Sequence, residues 1–216
     1  MWGKEVYYSG NLNNIETINK PAIFLGHLTK HYGHFLWETL TRFWIFLKLN
    51  KTFFIDKDIV FISFTHGNFN NMTGYSVLNY IMEALDIQNY SFKKITSVKR
   101  YNKIYLPEVM NSWIFGYPKT RENADLQQKL FYSITKNITP KFDNLKIYIT
   151  RKISEGGRPT TIYDNLFKSL GFKLLDPSSK TFKQDLEYYK SAKIIAGIDG
   201  SGLHNVGFMQ HPNRYM

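Results

Sequence analysis

The sequence predicts an α/β fold with a parallel β-sheet, and the last third of the chain carries the clearest pattern. Short apolar runs rich in β-branched and aromatic residues alternate there with segments whose apolar residues recur at helical spacing. Glycine, proline and serine separate these segments. Strands that alternate with helices in this way form βαβ units, in which the strands are parallel. The region is therefore expected to be half of a Rossmann-like domain.

The predicted elements of this region follow one another closely. Their order is a strand at 145–150, a helix at 160–172, a strand at 172–175, a helix at 181–192, a strand at 193–198 and the first turns of a helix at 201–209. Gly171 supplies a stop for the first helix. Thr181 and Gln184 have the spacing of a capping box, so the second helix is expected to begin there.

The N-terminal part also mixes strands and helices. Strands are predicted at 21–26, 58–64 and 102–108, and helices at 34–50, 75–85 and 124–138. The stretch 109–123 contains glycine, proline and charged residues, which indicates a boundary. We therefore predict two lobes, formed by residues 1–118 and 119–216.

Composition restricts the class of protein. With 43% hydrophobic residues, including 15 Tyr and 17 Phe, the chain has enough apolar mass for a globular core. It contains no cysteine, which excludes disulfides and thiolate metal sites. No run reaches the roughly 18–20 apolar residues of a membrane span, and the first residues lack a signal-peptide pattern. We therefore predict a cytoplasmic protein.

The formal net charge of +11 predicts an anionic partner. Nucleic acid, an anionic membrane surface and phosphorylated small molecules all fit this charge. The basic residues are scattered, and the sequence has no RNP, helix-turn-helix or zinc-finger pattern. We therefore predict no nucleic-acid partner, and a location in the cytoplasm that includes the inner face of the membrane.

A glycine-rich turn follows the last predicted strand, in the sequence "IIAGIDGSGLHN". Asp199, Gly200, Ser201 and Gly202 would place backbone N–H groups at a helix N-terminus, where an anion such as a diphosphate binds favourably. The pattern is not the dinucleotide fingerprint. The alternative is an ordinary connection from strand to helix, with Asp199 or Ser201 as the N-cap.

A second candidate lies in "HYGHFLWETLTRFW", where His34, Glu38 and Arg42 are spaced by four residues and share a helix face. A carboxylate beside a histidine fixes its tautomer and raises its basicity, so this pair could act as a general base. The alternative is a solvated face with a Glu38–Arg42 ion pair. The apolar residues of the other face would enter the core: Phe35, Leu36, Leu40, Phe43 and Trp44.

The same stretch raises the question of a metal site. His27, His31, His34 and Glu38 would share one face only if the helix ran through all four positions. Gly26 and Gly33 interrupt the pattern, and the helix is expected to begin near residue 32. We therefore predict no metal ligands here, and a divalent ion remains an open alternative as a cofactor.

A third candidate is "ITRKISEGGRPTT", which contains two arginines. Arg151 comes directly after a predicted strand, at the end of a parallel sheet where ligands bind. Arg158 follows a Gly-Gly loop. Both could hold a phosphate in bidentate fashion, or both could be solvated loop residues.

Together these segments resemble glycosyltransferase family 61, which includes bacterial capsular polysaccharide enzymes and eukaryotic xylosyl- and N-acetylglucosaminyltransferases. "YGHFLWETLTRFW" resembles the family's His-x-x-x-Glu-x-x-x-Arg helix. "IYITRKISEGGR" resembles its strand that ends in Ser/Thr-Arg. The most specific block is "LGFKLLDPSSKTFKQDLEYYKSAKIIAGIDGSGLHNVGFM", which resembles its long C-terminal signature.

The resemblance implies a GT-B-like architecture, in which a nucleotide sugar lies between two Rossmann-like lobes. It implies inverting transfer from a nucleotide sugar, UDP-linked, to a glycan or lipid-linked acceptor, as in surface polysaccharide synthesis. The first lobe would be the acceptor side, with His34 and Glu38 as catalytic residues. The remaining matched residues would bind the donor and its diphosphate: Arg42, Arg151, Arg158, Asp199, Gly200, Ser201, Gly202, Leu203 and Asn205.

The sequence also departs from the family's pattern. Asp199 stands where the family has a histidine, and Pro159 stands where it has a second arginine. Ile162 and Tyr163 replace its Asn-Glu pair. The second lobe is expected to lack at least one strand and helix. A non-catalytic module that binds a nucleotide sugar or an anionic polymer is therefore the alternative to an active enzyme.

Overall fold

The computed structural model of the protein describes residues 12–28, 32–62, 73–87, 90–95, 97–110, 120–150, 161–177 and 180–209. Within these residues all paired strands are parallel, and they form one sheet of four strands, one of three and a short pair. The predicted α/β class with parallel sheets is confirmed. The arrangement is consistent with Rossmann-like units.

The first sheet contains four strands from the N-terminal half of the chain. They are β2 (Ala22–His27), β3 (Asp58–Ile62), β4 (Ser91–Ile95) and β6 (Ile104–Tyr105), in the spatial order β4-β3-β2-β6. The short pair joins β1 (Thr17–Ile18) to β5 (Arg100–Tyr101). The predicted strands near 21–26 and 58–64 are confirmed, whereas the one predicted at 102–108 shortens to β6. The sequence did not predict β4.

The second sheet contains β7 (Leu145–Ile149), β8 (Lys173–Leu175) and β9 (Ala192–Gly197), in the order β8-β7-β9. All three strands were predicted. In the first sheet β3 and β4 are added on one side of β2, and β6 is then added on the other side. In the second sheet β8 is added on one side of β7 and β9 on the other. The strand order therefore reverses beside β2 and beside β7, and such reversals create the crevices where α/β sheets bind ligands.

Helices connect the strands. They are α3 (Thr73–Ala84), α4 (Arg121–Thr135), α5 (Asp164–Ser169) and α6 (Phe182–Ser191), with 3₁₀ turns at Leu12–Asn14, Lys51–Phe54 and Thr161–Tyr163. The predicted capping box is present, because Thr181 Oγ1 accepts from the Gln184 N–H at 3.3 Å and Gln184 Oε1 accepts from the Thr181 N–H at 3.0 Å. After α5, Gly171 has φ +78°, and the Phe172 N–H donates to the Phe167 carbonyl at 2.9 Å. The stop predicted at Gly171 is therefore a Schellman motif.

Residues 32–48 form one helical segment of mixed geometry between β2 and β3. It begins with α1 (Tyr32–His34), widens into a π turn (Phe35–Thr39), tightens into a 3₁₀ turn (Leu40–Trp44) and ends as α2 (Ile45–Lys48). Thr39 and Leu40, where the geometry changes, keep right-handed helical dihedrals. Four residues of the apolar face predicted for this segment are at most 1% exposed and lie in the core: Phe35, Leu36, Leu40 and Phe43. Trp44, the fifth, is partly buried and packs against that core.

A single apolar core connects the two sheets. Ile23 and Leu25 of β2 and Ile147 of β7 belong to one cluster of buried residues, which also includes α4 through Leu130 and α6 through Leu186. Both candidate regions therefore rest on the same packed interior. None of the described helices combines the length and the apolar character that a bilayer crossing requires.

Candidate functional site

The His34–Glu38 pair lies on the partly exposed side of the helical segment. His34 Nδ1 and Glu38 Oε1 are hydrogen-bonded, and the two side chains are 30% and 23% exposed. The apolar residues between them fix the segment against the core, so the pair is held at a surface with solvent access. Glu38 lies inside the π turn, and π turns in helices occur frequently at functional sites.

His27, the last residue of β2, lies beside this pair. Thr39 Oγ1 donates a hydrogen bond of 2.7 Å to the His27 carbonyl and so joins the π turn to the end of the strand. Burial lowers the pKa of the His27 imidazole; the Glu38 carboxylate raises it and His34 lowers it. The sequence grouped His27 with His34 and Glu38 only in the metal alternative, which required one continuous helix; in the structure His27 ends β2, and packing of the strand against the helix brings it to the pair.

Arg42 lies where the strand order reverses between β2 and β6. Its Nη1 donates to the carbonyl of Pro107, just after β6, and its guanidinium lies 5.9 Å from the ring centroid of Phe24. A Cβ on Gly26, whose φ is +99°, would come within 3.2 Å of Arg42 Nε. Burial lowers the pKa of Arg42, and the nearby Glu38 raises it. Arg42 bonds to Pro107 and not to Glu38, so the ion pair allowed by the sequence spacing does not form.

The glycine-rich turn lies at the carboxyl end of β9. After Gly197 the chain turns through residues 198–200 into a 3₁₀ helix (Ser201–Phe208), and the Leu203 N–H donates to the Gly200 carbonyl at 3.1 Å. Gly200 is the N-cap and has φ +155°, a conformation that only glycine adopts readily. No side chain caps this helix, so the expectation that Asp199 or Ser201 would be its N-cap is wrong, whereas the choice between an anion site and an ordinary connection from strand to helix stays open. Its first N–H groups have no partner within the helix.

Two glycines of this region allow close packing. A Cβ on Gly202 would lie 3.0 Å from Ile149 Cγ2, and one on Gly197 would lie 3.3 Å from Leu203 Cδ2. The turn therefore sits directly on the end of β7, beside the second reversal of strand order. Asp199 and Gly200 are exposed at its tip, and Ser201 and Leu203 are partly exposed.

The two candidate regions meet at Gly33. A Cβ on this residue would lie 2.8 Å from Ser201 Cβ and 3.2 Å from His204 Cδ2, so only a glycine permits this approach of the helical segment to the turn. Trp37 Nε1 donates to His204 Nδ1, and the two rings are 5.1 Å apart at 78°. The helix begins at Tyr32, as the sequence predicted, and Gly33, which was expected to interrupt the pattern, lies inside α1 at this contact. The structure therefore places His34 next to the glycine-rich turn.

A second link runs below this contact. The Tyr32 hydroxyl donates to Asn205 Oδ1, and Asn205 Nδ2 donates to the Gly202 carbonyl at 2.8 Å. Asn205 is 1% exposed, so its side chain lies one layer beneath the turn and does not face solvent. Asn205 therefore makes its hydrogen bonds inside the protein, and the donor contact implied for it stays a prediction.

Asp185 and Tyr189 of α6 complete this buried polar layer. Asp185 is 4% exposed, and within the described residues neither its Oδ1 nor the Tyr189 hydroxyl has a hydrogen-bond partner. Burial raises the pKa of Asp185 to about 7, Lys180 lowers it and Asp176 raises it. Burial raises the pKa of Tyr32 well above its usual value, and Asp185 raises it further. The Tyr32 hydroxyl therefore keeps its proton and acts as the donor to Asn205.

Three residues of the predicted sites are not among the described residues. Arg151 and Arg158 fall outside the described residues, as does His31 of the metal alternative. In the part of the chain that the structure describes, no three His, Asp or Glu side chains are grouped so as to hold a metal ion.

The pattern of the family described as Glycosyltransferase 61 matches residues 32–216. A comparison with curated protein sequences finds no match. The family match includes the helical segment, both arginines and the glycine-rich turn. Since it spans most of the 216 residues, the chain belongs to glycosyltransferase family 61.

Proposed function

We propose that this glycosyltransferase moves a sugar, with inversion, from a UDP-sugar to a hydroxyl of a glycan or lipid-linked acceptor. Family membership supports a sugar donor and an acceptor in general. One observation carries the finer proposal: the Gly33–Ser201 contact brings a histidine–carboxylate pair next to a turn suited to an anion. Inverting transfer needs these two functions side by side.

In this proposal His34 is the general base. If Nδ1 donates to the Glu38 carboxylate, Nε2 is the basic nitrogen of the imidazole. The acceptor hydroxyl would attack the anomeric carbon and pass its proton to His34 Nε2 as the new C–O bond forms. The Glu38 carboxylate stabilises the imidazolium that results.

The glycine-rich turn would receive the leaving group. The bond from the anomeric carbon to the diphosphate oxygen breaks, and the oxygen keeps the electron pair. The N–H groups at the start of the 3₁₀ helix, which no side chain caps, suit the charge that develops. Arg151 and Arg158 are proposed as further diphosphate ligands because both follow β7 in the sequence. The strand β7 pairs with β9, the strand that leads into this turn.

We further propose that the two parallel sheets are the two halves of a GT-B-like cleft. The carboxyl ends of β2 and β9 both lead into the contact at Gly33, the place where such a cleft would hold the donor. Asp199 is exposed at the tip of the turn, where a carboxylate would repel a diphosphate. We therefore assign Asp199 to the ribose hydroxyls and not to the phosphates.

Binding and transfer of a panel of UDP-sugars would test the proposal. Ligand-observed NMR should detect binding to the wild type, and weaker binding to Arg151→Ala. The variant His34→Gln should still bind the donor but lose transfer to the acceptor. If no UDP-sugar binds, the donor assignment is wrong. Binding without transfer to any acceptor would instead support the non-catalytic module.

A further inference from the structure

We propose that Tyr32 is a positioning residue for the glycine-rich turn and acts on it through Asn205. This inference rests on the proposed function, in which the turn holds the donor diphosphate. Tyr32 and Asn205 are separated by 173 positions in the sequence, yet their side chains form a direct hydrogen bond. Tyr32 would act on the donor only through the turn, without a contact of its own.

The Asn205 side chain makes two hydrogen bonds at the same time. Its Oδ1 accepts from Tyr32, and its Nδ2 donates to the Gly202 carbonyl at 2.8 Å. A side-chain amide bonded at both ends has one orientation. The peptide unit after Gly202 therefore keeps its direction as long as Tyr32 holds the amide, and with it the N–H groups of the first helical turn.

The environment makes this link strong. Asn205 is 1% exposed, so water cannot replace the Tyr32 hydroxyl if it is removed. The ring of Tyr32 packs edge-on against Phe182 with centroids 6.4 Å apart, which fixes the position of the hydroxyl. Tyr32 also directly precedes Gly33, so one helical turn provides both the contact with Ser201 and the link to Asn205.

The substitution Tyr32→Phe removes the hydroxyl and keeps the ring. Tyr189→Phe is a matched control, because it removes another buried hydroxyl of the same polar layer that has no hydrogen-bond partner within the described residues. Hydrogen exchange of the peptide covering residues 200–209, followed by mass spectrometry on the full chain, measures how firmly the turn is held. Calorimetric titration with UDP measures the consequence for binding.

We expect Tyr32→Phe to speed exchange in this peptide about tenfold and to weaken UDP binding by a similar factor, because a buried acceptor loses its donor. Tyr189→Phe should change neither. Tyr32→Phe and Asn205→Asp should be non-additive in UDP affinity, because both disturb the same link.

Unchanged exchange in Tyr32→Phe would overturn the inference. Faster exchange with wild-type UDP affinity would also overturn it, since the turn would then not position the donor. A wild type that binds no UDP would reject the proposed function itself, and the exchange experiment would then decide alone whether Tyr32 holds the turn.

Discussion

The carboxyl ends of the two sheets differ in the kind of atoms that they present. At the first sheet, side chains provide the chemistry, since His27, His34, Glu38 and Arg42 gather around the end of β2. At the second sheet, the candidate groups are backbone N–H groups, because Gly200 is the N-cap of the helix after β9 and no side chain caps that helix. In the proposed mechanism the first region moves a proton, whereas the second holds an anion.

Because of this difference, we expect the two regions to respond differently to substitution. Removing a functional group at the first sheet should abolish chemistry and leave the fold intact, because the pair is partly exposed. At the second sheet few functional side chains can be removed. Substitutions that add atoms to a glycine should instead be harmful, because they force the close packing apart. Gly202 and Gly207 of the 3₁₀ helix, and Gly33 of the helical segment that packs against it, already have neighbours at or below 3.0 Å from the position of a Cβ.

The largest effect is expected from the histidine–carboxylate pair. His34→Gln should lower kcat by about 10²–10⁴-fold, because a positioned general base contributes on this scale. Glu38→Gln should lower it less, since it keeps a hydrogen-bond acceptor for Nδ1 and loses only the charge. Steady-state transfer assays with saturating donor measure both. UDP affinity should stay within about twofold of the wild type, and a loss of binding equal to the loss of rate would remove the distinction between the two regions.

The second effect is expected from glycines at close contacts, one of them between the two regions. Gly33→Ala and Gly207→Ala should each destabilise the fold by about 1–3 kcal/mol through overpacking. The first meets Ser201 at 2.8 Å and the second meets the Phe131 ring at 2.9 Å. Only Gly33→Ala should also weaken UDP binding, because only Gly33 touches the turn. Chemical denaturation and calorimetric titration separate these outcomes, and equal losses of UDP affinity in the two variants would contradict the assignment of this contact to the site.

A third effect is a pH dependence of the protein's stability that arises from Asp185, in the buried polar layer beneath the turn. Burial raises the pKa of Asp185 from 3.8 to about 7 in the folded protein. The raised pKa therefore adds to the free energy of unfolding, and this contribution is fully present below about pH 4. It is lost as the pH rises from about 4 to about 7, because the buried carboxyl must then ionise. Asp185→Asn stays neutral at every pH, so it should raise the Tm by several degrees at pH 8 and have little effect on it at pH 4. Scanning calorimetry at both pH values checks this, and an equal shift at each would show that the carboxyl does not titrate in this way.

The smallest effect is expected from a surface ion pair between the helical segment and α4. Lys48 Nζ lies 3.0 Å from Glu122 Oε1, but the side chains are 47% and 71% exposed. Lys48→Ala should change the free energy of unfolding by less than about 1 kcal/mol, with no effect on transfer. A large loss of activity in this variant would mean that charges outside the Gly33 contact hold the two regions together.

The sequence predicted those parts of the fold whose signals are local. The capping box at Thr181 was visible as a spacing of residue types, and β7 to β9 were visible as apolar runs between helical segments. The strand β4 was missed because its sequence, "SFKKI", has two exposed lysines at the edge of the sheet and little apolar pattern. Tertiary pairing with β3 determines this strand.

The candidate site was predictable in its residues but not in its arrangement. Spacing placed His34 near Glu38, because four positions along a helix bring side chains together. The same rule paired Glu38 with Arg42, and it was wrong because the π and 3₁₀ turns change the helical repeat. The contacts of Trp37 with His204 and of Tyr32 with Asn205 connect residues 167 and 173 positions apart. No local pattern predicts such contacts.

The π turn at Phe35–Thr39 has a consequence for the faces that the helical segment presents. Leu40 and Phe43, which are fully buried, fix the rotation of the later part of the segment against the core. Each residue of an ordinary helix advances the side-chain direction by about 100°. Phe35 and Leu36 are buried too, so the core also fixes the rotation of the part that carries His34. A π turn closes on i→i+5 hydrogen bonds, so it takes in one extra residue while the side chains before and after it keep their relative directions. The wide turn thus adds a position to the outward side of the helix, where Glu38 lies, and leaves the packing of the inward side on both flanks undisturbed.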